Sequence, residues 1–243
     1  MSNLRYYRIS NHIIKYMKKF LLSIALILLI ISENQAHVEH YSKYNYLEYE
    51  LFRNNKLIGF HKYSFKRNNG KLTIDNEVNF KITKLGVDLY KYYASGQEMY
   101  LNGVFVGFES KTNQNKKEKY VKISIDPKDK NLIIDGSSYK GKANKEIIIG
   151  TWWNHEIVQK KAQISAVSGR IIEQKVEFLG KEDVKIGDKV YKTLKFNFSS
   201  SDPSLSKDKK LNTNIWYEED TYLWVKASFD KTGYWEYRLK NAK

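Results

Sequence analysis

The chain has 243 residues, of which 42% are hydrophobic, and it carries a formal net charge of +15. This length is enough to bury a core, and it favours one domain over several. The absence of cysteine excludes disulfide bonds, a cysteine nucleophile and the lipid-modified cysteine of a bacterial lipoprotein.

The N-terminal segment has the pattern of a secretory signal peptide. Met17-Lys18-Lys19 precedes an unbroken apolar run over residues 20–31, and Ser32 to Ala36 follow. A spanning helix needs about 20 apolar residues, so this run favours an export signal. We therefore interpret residues 1–36 as a signal peptide with an N-terminal extension and residues 37–243 as a single β domain. The protein is predicted to be periplasmic or secreted. It would be attached to the membrane only through the signal sequence, if that sequence is not cleaved.

Beyond the signal, apolar residues alternate with polar ones. In residues 71–83, one face of the predicted strand carries Leu72, Ile74, Val78, Phe80 and Ile82. This period of two is typical of a half-buried antiparallel strand. Similar segments continue to residue 239, separated by turn signals such as Asn54-Asn55 and the two-residue hairpin signal Asn102-Gly103.

These segments predict an all-β protein, an antiparallel meander of about a dozen strands. Such a sheet must curl, so a half-barrel, a closed barrel and a clam of two sheets all remain open. Apart from an N-terminal signal helix, helix is expected only as one or two turns between residues 152 and 166.

The positive charge does not indicate nucleic-acid binding. After residue 36 the chain keeps 37 Lys/Arg and 26 Asp/Glu, a balance of +11. The lysines are dispersed and arginine is scarce beside them, whereas arginine dominates phosphate and base recognition. The lysine-rich loops at residues 116–119 and 207–210 leave an anionic or envelope protein partner open.

No catalytic constellation is evident. His155-Glu156 begins a zinc-protease helix motif, but position 159 is glutamine, so the second ligand is missing. There is no nucleophile elbow and no glycine-rich phosphate loop. No catalytic residue, metal or cofactor is assigned, and a binding protein is favoured over an enzyme. A glycan hydrolase that uses His61 or a pair of glutamates remains a less favoured alternative.

The heptapeptide GTWWNHE, which begins at Gly150, is the densest cluster of distinctive side chains. With His61 it supplies five candidate ligand-binding residues: His61, Trp152, Trp153, Asn154 and His155. If the segment is extended, the two tryptophans point in opposite directions, one into the core and one toward the concave surface. The alternative is a plug of buried aromatics whose asparagine bonds to the backbone.

Several short motifs also resemble an uncharacterised family of exported proteobacterial proteins. They are Tyr49 to His61, Trp152-Trp153-Asn154, Gly180, Gly187, Trp216-Tyr217, Gly233 and Tyr237-Arg238-Leu239. The resemblance spans residues 46–239 and implies a β-rich exported domain of unknown function, without catalytic residues.

Two functional hypotheses follow. The first is an exported, non-enzymatic protein that binds a lipid or another apolar or amphipathic small molecule on the concave face of a curved sheet. The second is an envelope assembly or structural protein that binds a protein or anionic partner through exposed strands or basic loops.

Overall fold

A computed structural model describes residues 41–206 and 209–243 of the chain. The predicted signal peptide and part of the loop at residues 207–210 lie outside the described residues. The strands are β1 (Tyr46–Arg53), β2 (Lys56–Asn68), β3 (Lys71–Lys84), β4 (Val87–Leu101), β5 (Val104–Gln114), β6 (Lys117–Ile125), β7 (Leu132–Gly136), β8 (Lys140–Ala143), β9 (Ile148–Ile149), β10 (Ala162–Ile164), β11 (Ile171–Ile186), β12 (Lys189–Ser200), β13 (Asn212–Glu218), β14 (Trp224–Asp230) and β15 (Tyr234–Ala242).

All fifteen strands belong to one sheet, in the order β8 to β1 followed by β15 to β9. Neighbours are antiparallel except for β9 and β10, which are parallel. The all-β antiparallel meander predicted from the sequence is confirmed. The strands exceed the expected dozen because β8, β9 and β10 are too short to produce an alternating pattern.

The sheet is two meanders joined by the first and last strands. β1 pairs with β15, for example at Leu51 and Tyr237. All other neighbouring strands follow one another in the chain. This long-range pairing therefore makes one sheet of the N-terminal and C-terminal halves.

The sheet does not close through a hydrogen-bonded ladder, but it curls until its two ends pack together. Ile149 of β9 and Ile164 of β10 share a buried cluster with Phe108 and Ile134, which lie on β5 and β7. Ser138 N donates to Ser168 O at 2.9 Å beside this cluster. The fold is thus an open, barrel-like sheet whose ends are held by side-chain packing.

Turn residues match the conformations that the hairpins require. Asn102 and Gly103 have φ of 49° and 77°, the left-handed pair expected for a tight hairpin. Gly180, which the sequence places near a turn, instead lies inside β11 at an irregularity in its pairing with β12. The predicted short helix is a 3-10 helix at His155–Gln159.

Gly59 allows β2 and β3 to approach each other closely. It pairs with Phe80 on β3 and with Leu51 on β1. A Cβ atom at position 59 would lie 2.1 Å from Asn79 O and 2.5 Å from Phe80 Cβ. Any side chain would therefore push the two strands apart.

We expect Gly59→Ala to lower the free energy of unfolding by at least about 2 kcal/mol, because the clash involves backbone that cannot move aside locally. Urea denaturation monitored by tryptophan fluorescence measures the change. Ser64→Ala in the same strand is the control and should stay close to wild type. Equal stability of the two variants would contradict the close approach.

Candidate functional site

The segment after β9 lies against the concave face and is fixed by a buried carboxylate. Glu98 of β4 is 1% exposed. Its Oε1 accepts hydrogen bonds from Thr151 Oγ1 at 2.5 Å and from Trp153 Nε1 at 3.0 Å. Its Oε2 accepts one from Tyr100 Oη at 3.0 Å. Three donors thus replace the water that this carboxylate would otherwise bind.

Burial is the largest influence on the ionisation of Glu98. It raises the pKa of the carboxyl, while the hydrogen bonds from Thr151, Trp153 and Tyr100 act in the opposite direction. Among the described residues, no lysine or arginine lies within ion-pair distance of it. A carboxyl in this environment is a structural anchor for the tryptophan segment.

The two tryptophans of the segment have different surroundings, although residues 152 and 153 form a turn and not the extended stretch that the sequence left open. Trp153 is fully buried in the core. Trp152 is partly buried against the same cluster, with its ring 5.3 Å from Trp224 and 5.5 Å from Tyr237. Its carbonyl oxygen accepts a hydrogen bond from Tyr217 Oη at 2.9 Å. The segment is therefore attached to both halves of the sheet, through Glu98 and through Tyr217.

Trp152 faces a cavity of about 720 Å³ between this segment and the strands around β1. Its walls are mainly aromatic and aliphatic. The ring-bearing residues that line it are His61, Tyr63, Phe80, Tyr90, Tyr92, Trp152, Phe229, Trp235 and Tyr237. The volume and lining are in the range of small-molecule sites.

The rings of this cavity support one another. Phe80 stacks on Tyr92 with centroids 4.7 Å apart and meets Trp235 edge to face at 5.2 Å. Trp235 also stacks on Phe229 at 5.8 Å. Such packing fixes the orientation of the ring faces and edges that line the cavity.

His61 contributes an imidazole to the aromatic wall. Its ring lies 4.4 Å from Tyr63 and 6.0 Å from Tyr237, measured between centroids. Its Nδ1 is buried and has no hydrogen-bond partner among the described residues. Burial lowers the pKa of His61 to about 3. The imidazole is therefore neutral at pH 7 and adds no charge to the wall of the cavity.

The charges along the described lining of the cavity are of one sign. Arg53 and Lys231 contribute to it, and no aspartate or glutamate does. Arg53 donates to the carbonyl oxygen of Thr232 through Nη2, while its Nε is buried without a hydrogen-bond partner in the described part of the chain. These cations lie where β1 ends and where the β14–β15 turn begins, so the positive charge is concentrated at one end of the cavity.

The structure brings two of the five sequence-predicted site residues to the cavity, His61 and Trp152. Trp153 lies in the core. Asn154 caps the 3-10 helix, where its side chain accepts from Glu156 N at 3.0 Å. His155 is buried and stacks on Tyr222 with centroids 4.5 Å apart. The last three side chains support the segment and do not line the cavity.

Sequence reasoning did not select most of the cavity wall. Phe80 and Val78 belong to the alternating face of β3, and Tyr237 belongs to a motif of the family resemblance. Their meeting with Trp152 depends on the pairing of β1 with β15, which no local pattern reveals. Among the described residues there is no cluster of metal-ligating side chains, and the helical structure there includes nothing long and apolar enough to span a membrane.

Comparisons with known proteins support the fold and leave the function open. The sequence profile of the domain of unknown function DUF6134 matches residues 49–240. The search among curated proteins gave no match. A solved structure with a similar fold is the β-barrel-like protein of the domain of unknown function DUF1849 from Brucella abortus. Its TM-score is 0.58 at 11% identity, over 82% of this chain and 96% of that one.

A second solved structure, described as a "putative lipoprotein" from Parabacteroides distasonis, is also 11% identical and covers 82% of this chain and 94% of its own. Its TM-score is only 0.35. The structural comparison therefore rests on the Brucella protein, and at 11% identity it supports the fold alone.

We expect Glu98→Ala to destabilise the protein by at least about 3 kcal/mol, because it leaves several buried donors unpaired, Trp153 Nε1 among them. Glu98→Gln should cost less, since its amide oxygen can still accept from Thr151 and Trp153. Chemical denaturation of both variants measures the difference. Equal losses would show that the hydrogen bonds to this side chain do not stabilise the segment.

The difference in stability between wild type and Glu98→Gln should depend on pH. Because the pKa of Glu98 is raised in the folded state, the folded protein binds this proton more tightly than the unfolded chain. Wild type should therefore gain stability relative to Glu98→Gln as the pH falls through the folded-state pKa. Denaturation midpoints at several pH values test this. A loss of wild-type stability relative to Glu98→Gln as the pH falls would contradict it.

His61 should stay neutral in the folded protein from about pH 7 down to about pH 4, because its pKa is lowered to about 3. The unfolded chain takes up this proton near pH 6.5, so the residue makes the fold less stable as the pH falls through that range. NMR of 15N-labelled histidine follows the ring directly. A titration midpoint near 6.5 would contradict the buried environment.

Proposed function

The chain belongs to the DUF6134 family, and we propose that it is an exported, non-enzymatic protein that binds an apolar or amphipathic ligand, such as a lipid, in the cavity of its curved sheet. The observation that carries this proposal is the cavity of about 720 Å³ walled by aromatic side chains. Ligand sites of this kind combine a mostly apolar wall with a few polar groups that orient the ligand.

The polar groups available here indicate how such a ligand would be oriented. Neutral His61 lines the cavity and adds a polar ring to its wall without a charge. Arg53 and Lys231 lie along the cavity without a carboxylate in its described lining. An elongated ligand with an apolar body among the rings and an anionic or polar end near these cations fits this distribution.

The predicted signal peptide supports export, since residues 20–31 form an apolar run after Lys18 and Lys19. A lipid carrier or sensor outside the cytoplasm is consistent with that segment. A binding role is also consistent with the sequence, in which no catalytic motif was found.

Native mass spectrometry of the protein, purified without detergent from the periplasm of an expressing cell, tests the proposal. We expect a reproducible mass excess that disappears on organic extraction. The delipidated protein should then take up a fluorescent fatty acid. A bare protein mass together with no uptake would overturn the proposal.

Val78→Trp should weaken fatty-acid uptake at least tenfold, because the indole would fill space in the middle of the cavity between His61 and Ala94. Val190→Trp makes the same change at an exposed position of β12 and should bind like wild type. Circular dichroism of both variants checks that the sheet is retained. Unchanged uptake by folded Val78→Trp would place the ligand elsewhere.

A further inference from the structure

The β3–β4 hairpin extends beyond its neighbours in the sheet. Pairing of β2 with β3 begins at Gly59 and Phe80. Pairing of β4 with β5 ends at Tyr92 and Gln114. Past these points, in the described structure, β3 and β4 continue as a two-stranded ribbon over residues 81–91, hereafter the hairpin tip.

The turn of this tip differs from four other tight turns of the sheet. At the first left-handed position, the hairpins after β1, β2, β4 and β5 have an asparagine, namely Asn54, Asn69, Asn102 and Asn115. The hairpin tip instead has Leu85, with φ of 50°. Asparagine tolerates this conformation much better than leucine. Leu85 is also 94% exposed, so both its backbone and its side chain are in unfavourable settings in water.

Further exposed apolar side chains lie at this end of the sheet. Val87 and Leu89 on the tip are 61% and 53% exposed, and Leu57 at the start of β2 is 51% exposed. Three lysines of the tip, Lys81, Lys84 and Lys91, stand against one acid, Asp88. An apolar point flanked by lysines matches the boundary between the headgroups and acyl chains of an anionic bilayer.

The adjoining turns continue the positive charge. Lys56 follows the turn after β1, and Lys116 and Lys117 lie at the turn after β5. The latter turn is in direct contact with the tip, since Asn115 N donates to Lys91 O at 2.8 Å. Each lysine near an anionic surface strengthens association about fivefold, so several of them favour such a surface over a neutral one.

The cavity reaches the same end of the sheet. Leu89 of the tip lines it, together with Ile82, Arg53 and Lys231. Arg53 ends β1 and Lys231 follows β14, so both lie next to the turns at this end. We propose that the hairpin tip docks the cavity mouth on the surface of an anionic lipid bilayer, with Leu85 inserted among the lipids. This interaction goes beyond ligand binding and does not depend on it.

Leu85→Asn separates the docking role from a structural one, because asparagine suits the left-handed turn. We expect the variant to be at least as stable as wild type, yet to bind vesicles of phosphatidylglycerol mixed with phosphatidylcholine about tenfold more weakly. Leu101→Asn is the matched control: it lies at the opposite end of β4 and is 50% exposed. It should sediment with vesicles like wild type.

Vesicles of phosphatidylcholine alone should bind wild type more weakly, and added salt should weaken binding to the anionic vesicles. All proteins carry the same processed N-terminus, so a difference between them reports the tip. Absence of vesicle binding by wild type, or equal binding by Leu85→Asn, would overturn the proposal. If Leu85→Asn changed only the molecular mass of the protein in solution, the tip would be a self-association contact. That result would also overturn the proposal.

Ligand binding is measured independently of vesicle binding. Leu85→Asn should keep the ligand content of wild type in native mass spectrometry, while Val78→Trp should keep wild-type vesicle binding. Loss of ligand binding with intact docking would therefore count against the proposed function alone, and the reverse result against docking alone.

Discussion

The inner wall of this protein depends on the buried carboxylate of Glu98. The segment after β9 forms a single 3-10 turn and no ladder until β10, so strand pairing does not fix its position. Side-chain hydrogen bonds do this instead, from Thr151 and Trp153 to Glu98 on β4 and from Tyr217 on β13 to the segment's backbone. Since β4 and β13 belong to different halves of the sheet, the segment also ties the halves together.

The cavity follows from this arrangement. With Trp153 fully buried in the core, Trp152 packs against Trp224 and Tyr237 and lines the cavity. Trp224 is itself stacked on Tyr49 with centroids 3.9 Å apart. Rings supported from behind in this way cannot rotate into the empty space without losing their own contacts. The space beside Trp152 therefore remains open, and its low polarity keeps His61 neutral.

The sequence predicted what depends on local pattern. Alternation defined β3, and the Asn102-Gly103 signal defined the β4–β5 hairpin. The different surroundings of Trp152 and Trp153 were expected for an extended segment, but the two residues lie in a turn. Which tryptophan is buried depends on Glu98, which is 55 positions from Trp153 in the chain, and one sequence contains no signal for that contact. The strands β8 to β10 were missed because they have two to four residues each. The contact of His61 with Tyr237 likewise depends on the long-range pairing of β1 with β15.

For the lipid proposed as ligand, the position of the cavity relative to the hairpin tip matters because an acyl chain must move between bilayer and cavity. Moving an acyl chain from a bilayer into water costs about 0.8 kcal/mol of free energy for each methylene group exposed. A cavity that opens away from the membrane would leave that barrier in place, however well its rings held the chain. In this protein the exposed Leu85, the neighbouring lysines and the end of the cavity near Leu89 lie at one end of the sheet. Docking through that end would bring the bilayer close to the cavity and shorten the path of a chain through water, which gives the unfavourable leucine turn a physical reason.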